Sequence, residues 1–569
     1  MYAGGNRIGR RSSRHDRFVD AGSARAGVSI FTVTALLAIA GFALRLWQYL
    51  ANSSLWVDEA ALARNIVDRS PSGFLQSLDY AQVAPPGFLL IEKGAVGLFG
   101  NSEWSLRLFP LLCGVASILI VWRIASWILD GWAVTYAVGL FSLATPLVFF
   151  SSQVKQYSSD AAATTAIIWA VLWLRRVPGS PRRVSLVAFL GAAAVWISQP
   201  AIFVVMGAAA ALTVAAVLDR RSENTRATLI VIAVWIVSCA IAVTLAFRTV
   251  SAADREYLDW FWSGGLMPRP WSVTYAIWIW ERLTWLFGAF TTGLRRTNGG
   301  LGYPWSQLFV IVSVIGTFAL WRKRRDLAVA VALPVVLAII AAGLRVYPFS
   351  GRVVTFLLPL MILTVAAGTD HVLRVWLPNR ALASAAVLAV MVGSPLVASL
   401  AALPPERMEH IRPVLARVAQ HIQPDDEVYV YYGGSQPFQY YAERFGLARV
   451  PYVLGRCSVT DLRAYLRDVD RFRGFRRVWI IGTHARLGVS ELLAIFRYLD
   501  TIGRRIETIE ERATSNLPSN GAYAALYDLS DRVRLGAAAA ETFSVPDVPI
   551  DQGFARWGCY GTQSSSRGL

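Results

Sequence analysis

Residues 305–344 read WSQLFVIVSVIGTFALWRKRRDLAVAVALPVVLAIIAAGL: two apolar runs, 305–321 and 327–344, separated only by Arg322-Lys323-Arg324-Arg325-Asp326. An apolar helix of about 17–20 residues is the length that crosses the hydrocarbon core of a bilayer. A very short connection made mostly of Arg and Lys is what cytoplasmic turns between spans carry. This hairpin therefore predicts a polytopic helical membrane protein and fixes which end of these two spans faces inside.

The same grammar extends outward. Apolar runs recur at about 28–47, 107–128, 132–150, 159–174, 184–199, 200–218, 227–247, 353–369 and 381–403, which with the first two makes about eleven spans. The basic N-terminus, 1–27, holds six Arg between Arg7 and Arg25. The first run is too long, and lacks the small-residue site, for a cleaved signal peptide. With the N-terminus inside, the loops Arg175–Arg183, Asp219–Arg226, Arg322–Asp326 and Asp370–Arg380 all fall inside, as the positive-inside rule requires. This parity holds only if Phe88–Gly100 does not cross. With Glu92 and Lys93 in a short apolar stretch, it reads as an interfacial helix.

The formal net charge of +18 would invite a nucleic-acid reading, but the cations are spent in these short loops between apolar runs. No nucleic acid is expected. The four cysteines, Cys113, Cys239, Cys457 and Cys559, form no CxxC pair, which argues against a zinc ribbon or thiol redox motif. Outside placement of the tail makes a Cys457–Cys559 bridge an even alternative to two free thiols.

Two long outer segments interrupt the membrane domain 28–403: a first outer loop, 48–106, and a large one, 248–304. Past 404 the composition turns charged. Strand-like runs at Glu427–Tyr432, Val478–Ile481 and Tyr523–Leu529, with a helical pattern at Ser490–Tyr498, predict an α/β domain over 404–535. The Ala-, Gly- and Ser-rich segment 536–569 is expected to be a flexible tail. The fold class is thus an α-helical polytopic membrane protein with a C-terminal α/β soluble domain.

Acidic residues are scarce in the membrane half, so those present carry information. Asp58 and Glu59 follow the first span. They suit either a solvated helix start or a general base at the membrane surface. Asp160 lies at the outer mouth of the fourth span, where it would act as a first-turn acid, a functional group, or both. Pro85-Pro86 starts the interfacial helix. Arg107 reads as a snorkelling anchor. Lys155, Arg345 and Arg352 sit at outer span ends and are the cations that could hold a phosphate or a lipid headgroup. The tryptophans of 254–304 fit an interfacial aromatic belt, with sugar stacking as an alternative for one or two of them.

The order of Leu55-Trp56-Val57-Asp58-Glu59-Ala60, Ala84-Pro85-Pro86, Leu98-Phe99-Gly100-Asn101-Ser102-Glu103 with Leu106-Arg107, and Lys155-Gln156-Tyr157-Ser158-Ser159-Asp160 resembles the GT-C glycosyltransferases. More closely, it resembles the branch of the bacterial protein-O-mannosyltransferases, aminoarabinose transferases and lipopolysaccharide galacturonosyltransferases. The likeness is strongest over about 50–175 and thinner to 370. The tail, with Asp425–Tyr432, Arg477–Ile481 and His484, resembles an accessory domain of some members, and the resemblance assigns it no chemistry. It implies a polyprenyl-phosphate sugar donor, an acceptor hydroxyl on an envelope lipid, glycan or protein, and an inverting displacement on the outer face of the inner (plasma) membrane. Asp58, Glu59 and Asp160 would be catalytic. Tyr157, Lys155, Pro85, Pro86, Arg345 and Arg352 would bind substrate. One position departs from the pattern: members often carry His or Lys before the proline pair, where this chain has Ala84. No cofactor is certain, and a divalent metal between Asp58 and Asp160 is left open. The alternative reading is a lipid-linked sugar flippase, which would place polar groups near the midplane. A membrane scaffold displaying the tail domain is a third.

Overall fold

In a bilayer every backbone amide must find its partner within the protein, so long apolar runs fold as helices. The computed structural model describes residues 14–176, 180–219, 222–268, 273–292, 304–377, 380–401, 407–485, 490–513 and 521–561. Each of the eleven apolar runs is helical in it. They lie in α1 (Arg14–Leu50), α4 (Glu103–Ile128), the broken pair α5 (Trp132–Leu143) and α6 (Thr145–Phe150), α7 (Tyr157–Arg176), α8 (Pro181–Ile197), α9 (Ala201–Asp219), α10 (Ser222–Thr249), α13 (Pro304–Lys323), α14 (Arg325–Gly343), α15 (Leu358–Trp376) and α16 (Arg380–Ala401). The first outer loop carries α2 (Val57–Asp68) and α3 (Pro86–Phe99), and the large outer loop α11 (Ala252–Phe261) and α12 (Val273–Thr292).

Among the described residues, six helices are long and apolar enough to cross a membrane by length and composition: those containing 30–50, 103–128, 201–218, 225–249, 325–343 and 351–376. The other expected spans are helical but miss this measure for local reasons. The α7 helix opens with the polar residues Tyr157–Asp160, and α8 has 17 residues. The run 132–150 breaks at Ala144, ahead of Pro146. That break orphans carbonyls inside the apolar core. Arg45, fully buried, answers them, donating to Ser142 O at 2.7 Å, Phe141 O at 3.3 Å and Gly41 O at 2.9 Å. Helices α13 and α15 approach through facing glycines: a Cβ on Gly316 would meet Thr364 O at 1.8 Å, and one on Gly368 would meet Val312 O at 2.0 Å. Close backbone contact of this kind drives helix association where lipid offers no hydrophobic gain.

Two of the cationic loops meet at one end of the bundle, where Arg175 and Arg324 both pair with Asp326, at 2.7 and 2.8 Å. The segments expected outside converge at the other end.

The C-terminal domain is a five-stranded sheet in the order β2-β1-β3-β5-β4, formed by β1 (Glu427–Val430), β2 (Tyr452–Leu454), β3 (Val478–Thr483), β4 (Arg504–Glu511) and β5 (Ala522–Asp528). The β1 strand runs parallel to β2 and β3, while β5 is antiparallel to β3 and β4. Alternation along β3 sorts its two faces. Val478 and Ile480 pack with α19 (Leu462–Asp470) and α20 (Ser490–Ile502), while Trp479 and Ile481 face α17 (Ile411–His421) and α18 (Ser435–Ala442). The second core continues without a break into Leu55, Leu62, Ile66 and Phe88 of the first outer loop. The domain is therefore docked on that loop. Glu103, nearly buried, pairs with Arg412 at 2.6 Å and Arg444 at 2.9 Å, and Tyr441 Oη accepts from Leu55 N–H at 2.9 Å.

The expectation of a loose tail does not hold for 536–561. Ala540 is buried beside Phe543, and after the four-residue α21 (Arg532–Leu535) the chain forms α22 (Gln552–Trp557). Cys457 and Cys559 are disulfide-bonded, and Tyr257 stacks near Tyr560 at 4.9 Å. The small-residue composition concealed this because the ties are one covalent bond and a few aromatic contacts, not a periodic core. Residues 562–569 lie outside the described part.

Candidate active site

The α2 helix begins at Val57, directly after the short stretch that leaves the first span, so its first turn carries both acids. They point to opposite environments. Glu59 is fully buried. Its Oε1 accepts from Arg107 Nε at 3.1 Å and from Val154 N–H at 2.6 Å, and its Oε2 accepts from Arg107 Nη2 at 2.6 Å. Arg107 is itself buried and also donates to Ser53 O at 2.6 Å. Glu59 therefore does not line the cavity that Asp58 enters, and Arg107 is a buried ion-pair partner, not a snorkelling anchor. Together they lock α2, α4 and the loop before α7 into one geometry.

Asp58, one residue earlier, faces a cavity of about 1790 Å³ at the end of the bundle where the outer segments converge. Its Oδ2 meets Arg352 Nη2 at 2.5 Å. The turn Arg345–Arg352 supplies that arginine. Gly351 takes φ 59° under the ring of Trp262, a conformation a side chain would resist. The guanidinium then sits among the rings of Trp56, Tyr157 and Trp262, at 5.7, 5.8 and 5.9 Å from their centroids. Burial alone would raise the Asp58 carboxyl. Arg352, and behind it Lys155, reverse that and hold it well below the usual carboxylate range.

Lys155 lies in the short loop between α6 and α7, buried, with Nζ donating to Gln82 Oε1 at 2.6 Å. Burial pushes its ammonium down to about 8, against the opposing pull of Asp58. Gln82 and Val83 line the cavity at the position where the sequence lacks a cation. Lys155 Nζ thus lies against this loop two residues before Ala84, the position where the sequence lacks a cation. Tyr157 and Asp160 open α7 and line the cavity one turn apart, and Asp160 Oδ1 is buried without a hydrogen-bond partner among the described residues.

The other proposed binding residues fare differently. Pro85 and Pro86 start α3 but do not line the main cavity. Pro86 borders a smaller apolar cavity of about 100 Å³ between the first loop and α8, α9 and α10. Arg345 lines the outer mouth, where Asp259 holds it through two contacts of 2.7 and 2.8 Å. The pair is half-exposed, whereas the Arg352–Asp58 pair is more deeply set. A divalent metal between Asp58 and Asp160 would have to sit against the Arg352 guanidinium. No group of three His, Cys, Asp or Glu converges among the described residues. The residues present do not fit a metal there.

Sequence reasoning missed several cavity residues. Trp56, bonded to Gln153 at 2.8 Å, was quoted only as part of a motif. Trp262 was assigned to an aromatic belt. The rim formed by Tyr257, Trp260, Phe554, Trp557 and Tyr560 joins the large outer loop to the tail. His484, Tyr432 and Gln436 come from the C-terminal domain, far from Asp58 in the chain; His484 and Tyr432 belong to the tail pattern quoted above, which assigned them no chemistry.

A family model described as dolichyl-phosphate-mannose-protein mannosyltransferase matches residues 83–245. No curated protein matches the chain by sequence. Among solved structures, the oligosaccharyltransferase of Archaeoglobus fulgidus tethered to an acceptor peptide containing the NVT sequon superposes with a TM-score of 0.50 at 12% identity, covering 84% of this chain and 72% of that one. ArnT from Cupriavidus metallidurans bound to undecaprenyl phosphate gives 0.49 at 14% identity, covering 86% and 97%. The chain thus has a GT-C-type fold, with a C-terminal domain built around a sheet.

Proposed function

We propose that the chain is an inverting glycosyltransferase that moves a sugar from a polyprenyl phosphate to a hydroxyl of an envelope lipid, glycan or protein, at the outer face of the inner membrane. The observation that carries the reading is the triad Asp58–Arg352–Lys155, two cations and a carboxylate lining one large cavity. The match to a family described by its dolichyl-phosphate-mannose donor agrees with it.

The chemistry follows from charge. Lipid phosphate is a leaving group that departs already ionised, so it needs cations at the departing oxygen more than it needs an acid. Arg352 offers a planar fork for this, and Lys155 a point charge on the same cavity wall. The smaller cavity shares Gln82, Val83, Gln199, Ile202, Val243 and Ala246 with the larger one. Its apolar lining along α10 gives the polyprenyl chain a route from the bilayer to the phosphate site. The acceptor then approaches from the opposite, aromatic rim.

Asp58 was expected to act as the general base. Paired with Arg352, it is a weak base. Its carboxylate is better suited to face the positive charge that grows at the anomeric carbon. Asp160, with an unpartnered oxygen, orients acceptor or sugar. A flippase would need polar groups along the midplane, and the cavity gathers them at one end instead. Mass spectrometry of envelope glycans from cells with and without the gene tests the proposal. Loss of one defined sugar substituent, with its lipid-linked donor accumulating, supports it. Unchanged glycans with an altered sidedness of a lipid-linked sugar would replace it with the flippase.

A further inference from the structure

The C-terminal domain places a carboxylate–imidazole pair in this cavity. His484 follows the end of β3 and lines the same space as Asp58, near enough for its charge to act on that carboxyl. Its Nδ1 lies 2.5 Å from Glu409 Oε1. The Glu409 side chain is 1% exposed while that of His484 is 29% exposed, so the acid stands behind the ring and the ring borders the cavity. The other Glu409 oxygen accepts from Val57 N–H at 2.8 Å, the residue before Asp58. One buried carboxylate thus gauges the separation of the imidazole from the first-loop acid. Both Glu409 and His484 adopt left-handed backbone, with φ 50° and 55°, where non-glycine residues are uncommon. Two such residues joined by one hydrogen bond, with Glu409 also bonded to the first residue of α2, are held there by the surrounding structure.

We infer that His484 is the proton acceptor for the attacking hydroxyl, with Glu409 as its positioning residue, so that the C-terminal domain supplies the acceptor half of the active site. This rests on the transferase reading above. With the Nδ1 proton donated to Glu409, Nε2 carries the ring's lone pair. The acceptor oxygen forms its bond to the anomeric carbon while its proton passes to Nε2. The anomeric carbon–oxygen bond to phosphate breaks, and its electron pair stays on the phosphate beside Arg352 and Lys155. The imidazolium is stabilised by Glu409 and returns its proton to water in the open cavity. The acceptor is an alcohol, and the aromatic rim of Trp260 and Trp557 fits a saccharide ring leading to it.

The test uses the full-length chain in membranes of a strain lacking its own copy, with polyprenyl-phosphate sugars labelled in place from sugar nucleotides. Rates are taken from mildly acidic to mildly alkaline pH. Of the charged and titratable groups among the described residues, Glu409 is hydrogen-bonded to the ring, Asp58 lies within reach of its charge, and Arg352, Lys155 and Tyr432 line the same cavity. The His484→Ala chain is expected to lose about 10²–10⁴-fold in kcat, the range of one general base. Donor KM should be little changed, and added imidazole should restore part of the rate. The His484→Asn chain should lose the acid limb of the pH profile, and Glu409→Gln should shift that limb. Wild-type rates in both His484 variants overturn the inference and leave the transferase reading standing. A loss of rate that imidazole does not relieve, with the acid limb intact, marks a structural role and also overturns it. Absence of transfer by the wild-type chain removes the transferase reading and this inference together.

Discussion

Replacing Glu59 by Gln should damage the fold more than the chemistry, although the residue adjoins Asp58. The side chain is fully buried and receives three hydrogen bonds, two from Arg107 at 2.6 and 3.1 Å and one from Val154 N–H at 2.6 Å. A Gln carbonyl can keep Val154, but its NH₂ then faces a guanidinium, and Arg107 is left as a buried charge without a counter-ion. Breaking one side of a buried pair costs about 3–5 kcal/mol, far more than an exposed pair is worth. Because the pair ties α2 to α4, the loss should appear as a lower melting temperature and faster proteolysis within 48–106. The double variant Glu59→Gln with Arg107→Met should recover much of it, since removing both charges avoids the unpaired one. The assay is thermal unfolding of the detergent-solubilised full chain, followed by tryptophan fluorescence. A Glu59→Gln protein that melts like the wild type but has lost turnover would refute this division of labour between the two acids.

Asp58→Asn should lower melting less than Glu59→Gln, because the Asp58–Arg352 pair is partly exposed, and should lower turnover by about two orders of magnitude or more, as expected for removal of one electrostatic contact to the transition state, read from initial rates of the folded variant. Lys155 carries a proton below about 8 and loses it above. Affinity for a polyprenyl phosphate should therefore fall as pH rises through and beyond that value, and Lys155→Arg should remove the fall in an equilibrium binding titration. Arg345→Ala should leave that affinity within about twofold, because Arg345 is half-exposed and a charge so placed contributes little to binding an ion. Cys457→Ser with Cys559→Ser should free the segment 552–561 to proteases. The loss of stability is bounded at about 4.7 kcal/mol by the loop-entropy model and is smaller in practice.

How much of this was legible follows from what each feature depends on. Span existence rests on local composition, so all eleven apolar runs were readable, as were β1, β3 and β5 with their apolar β-branched and aromatic residues. The β4 strand, RRIETIEE, was not, because an edge strand covers itself with charge and so imitates a loop. The break between α5 and α6 was hidden because its remedy, Arg45, lies on α1, about 97 residues away. Asp58, Lys155, Tyr157 and Asp160 could be nominated because they sit in two short motifs. Which of Asp58 and Glu59 faces the cavity could not, since that depends on the partner Arg107. Arg352 was legible as a cation at a span end, but its equal in sequence, Arg345, separates from it only through exposure, which the fold sets. His484 and Glu409 are joined to the site by the fold alone.

The most direct test reconstitutes the purified full-length chain in nanodiscs with a polyprenyl-phosphate sugar labelled in the sugar, and follows both the fate of the label and the configuration of its anomeric carbon. The account predicts release of free polyprenyl phosphate in step with transfer of label to an acceptor hydroxyl, with inverted configuration, and near-complete loss of both in Arg352→Ala. Transfer with retained configuration, or label that remains on the lipid while the Arg352→Ala and wild-type chains behave alike, would contradict it.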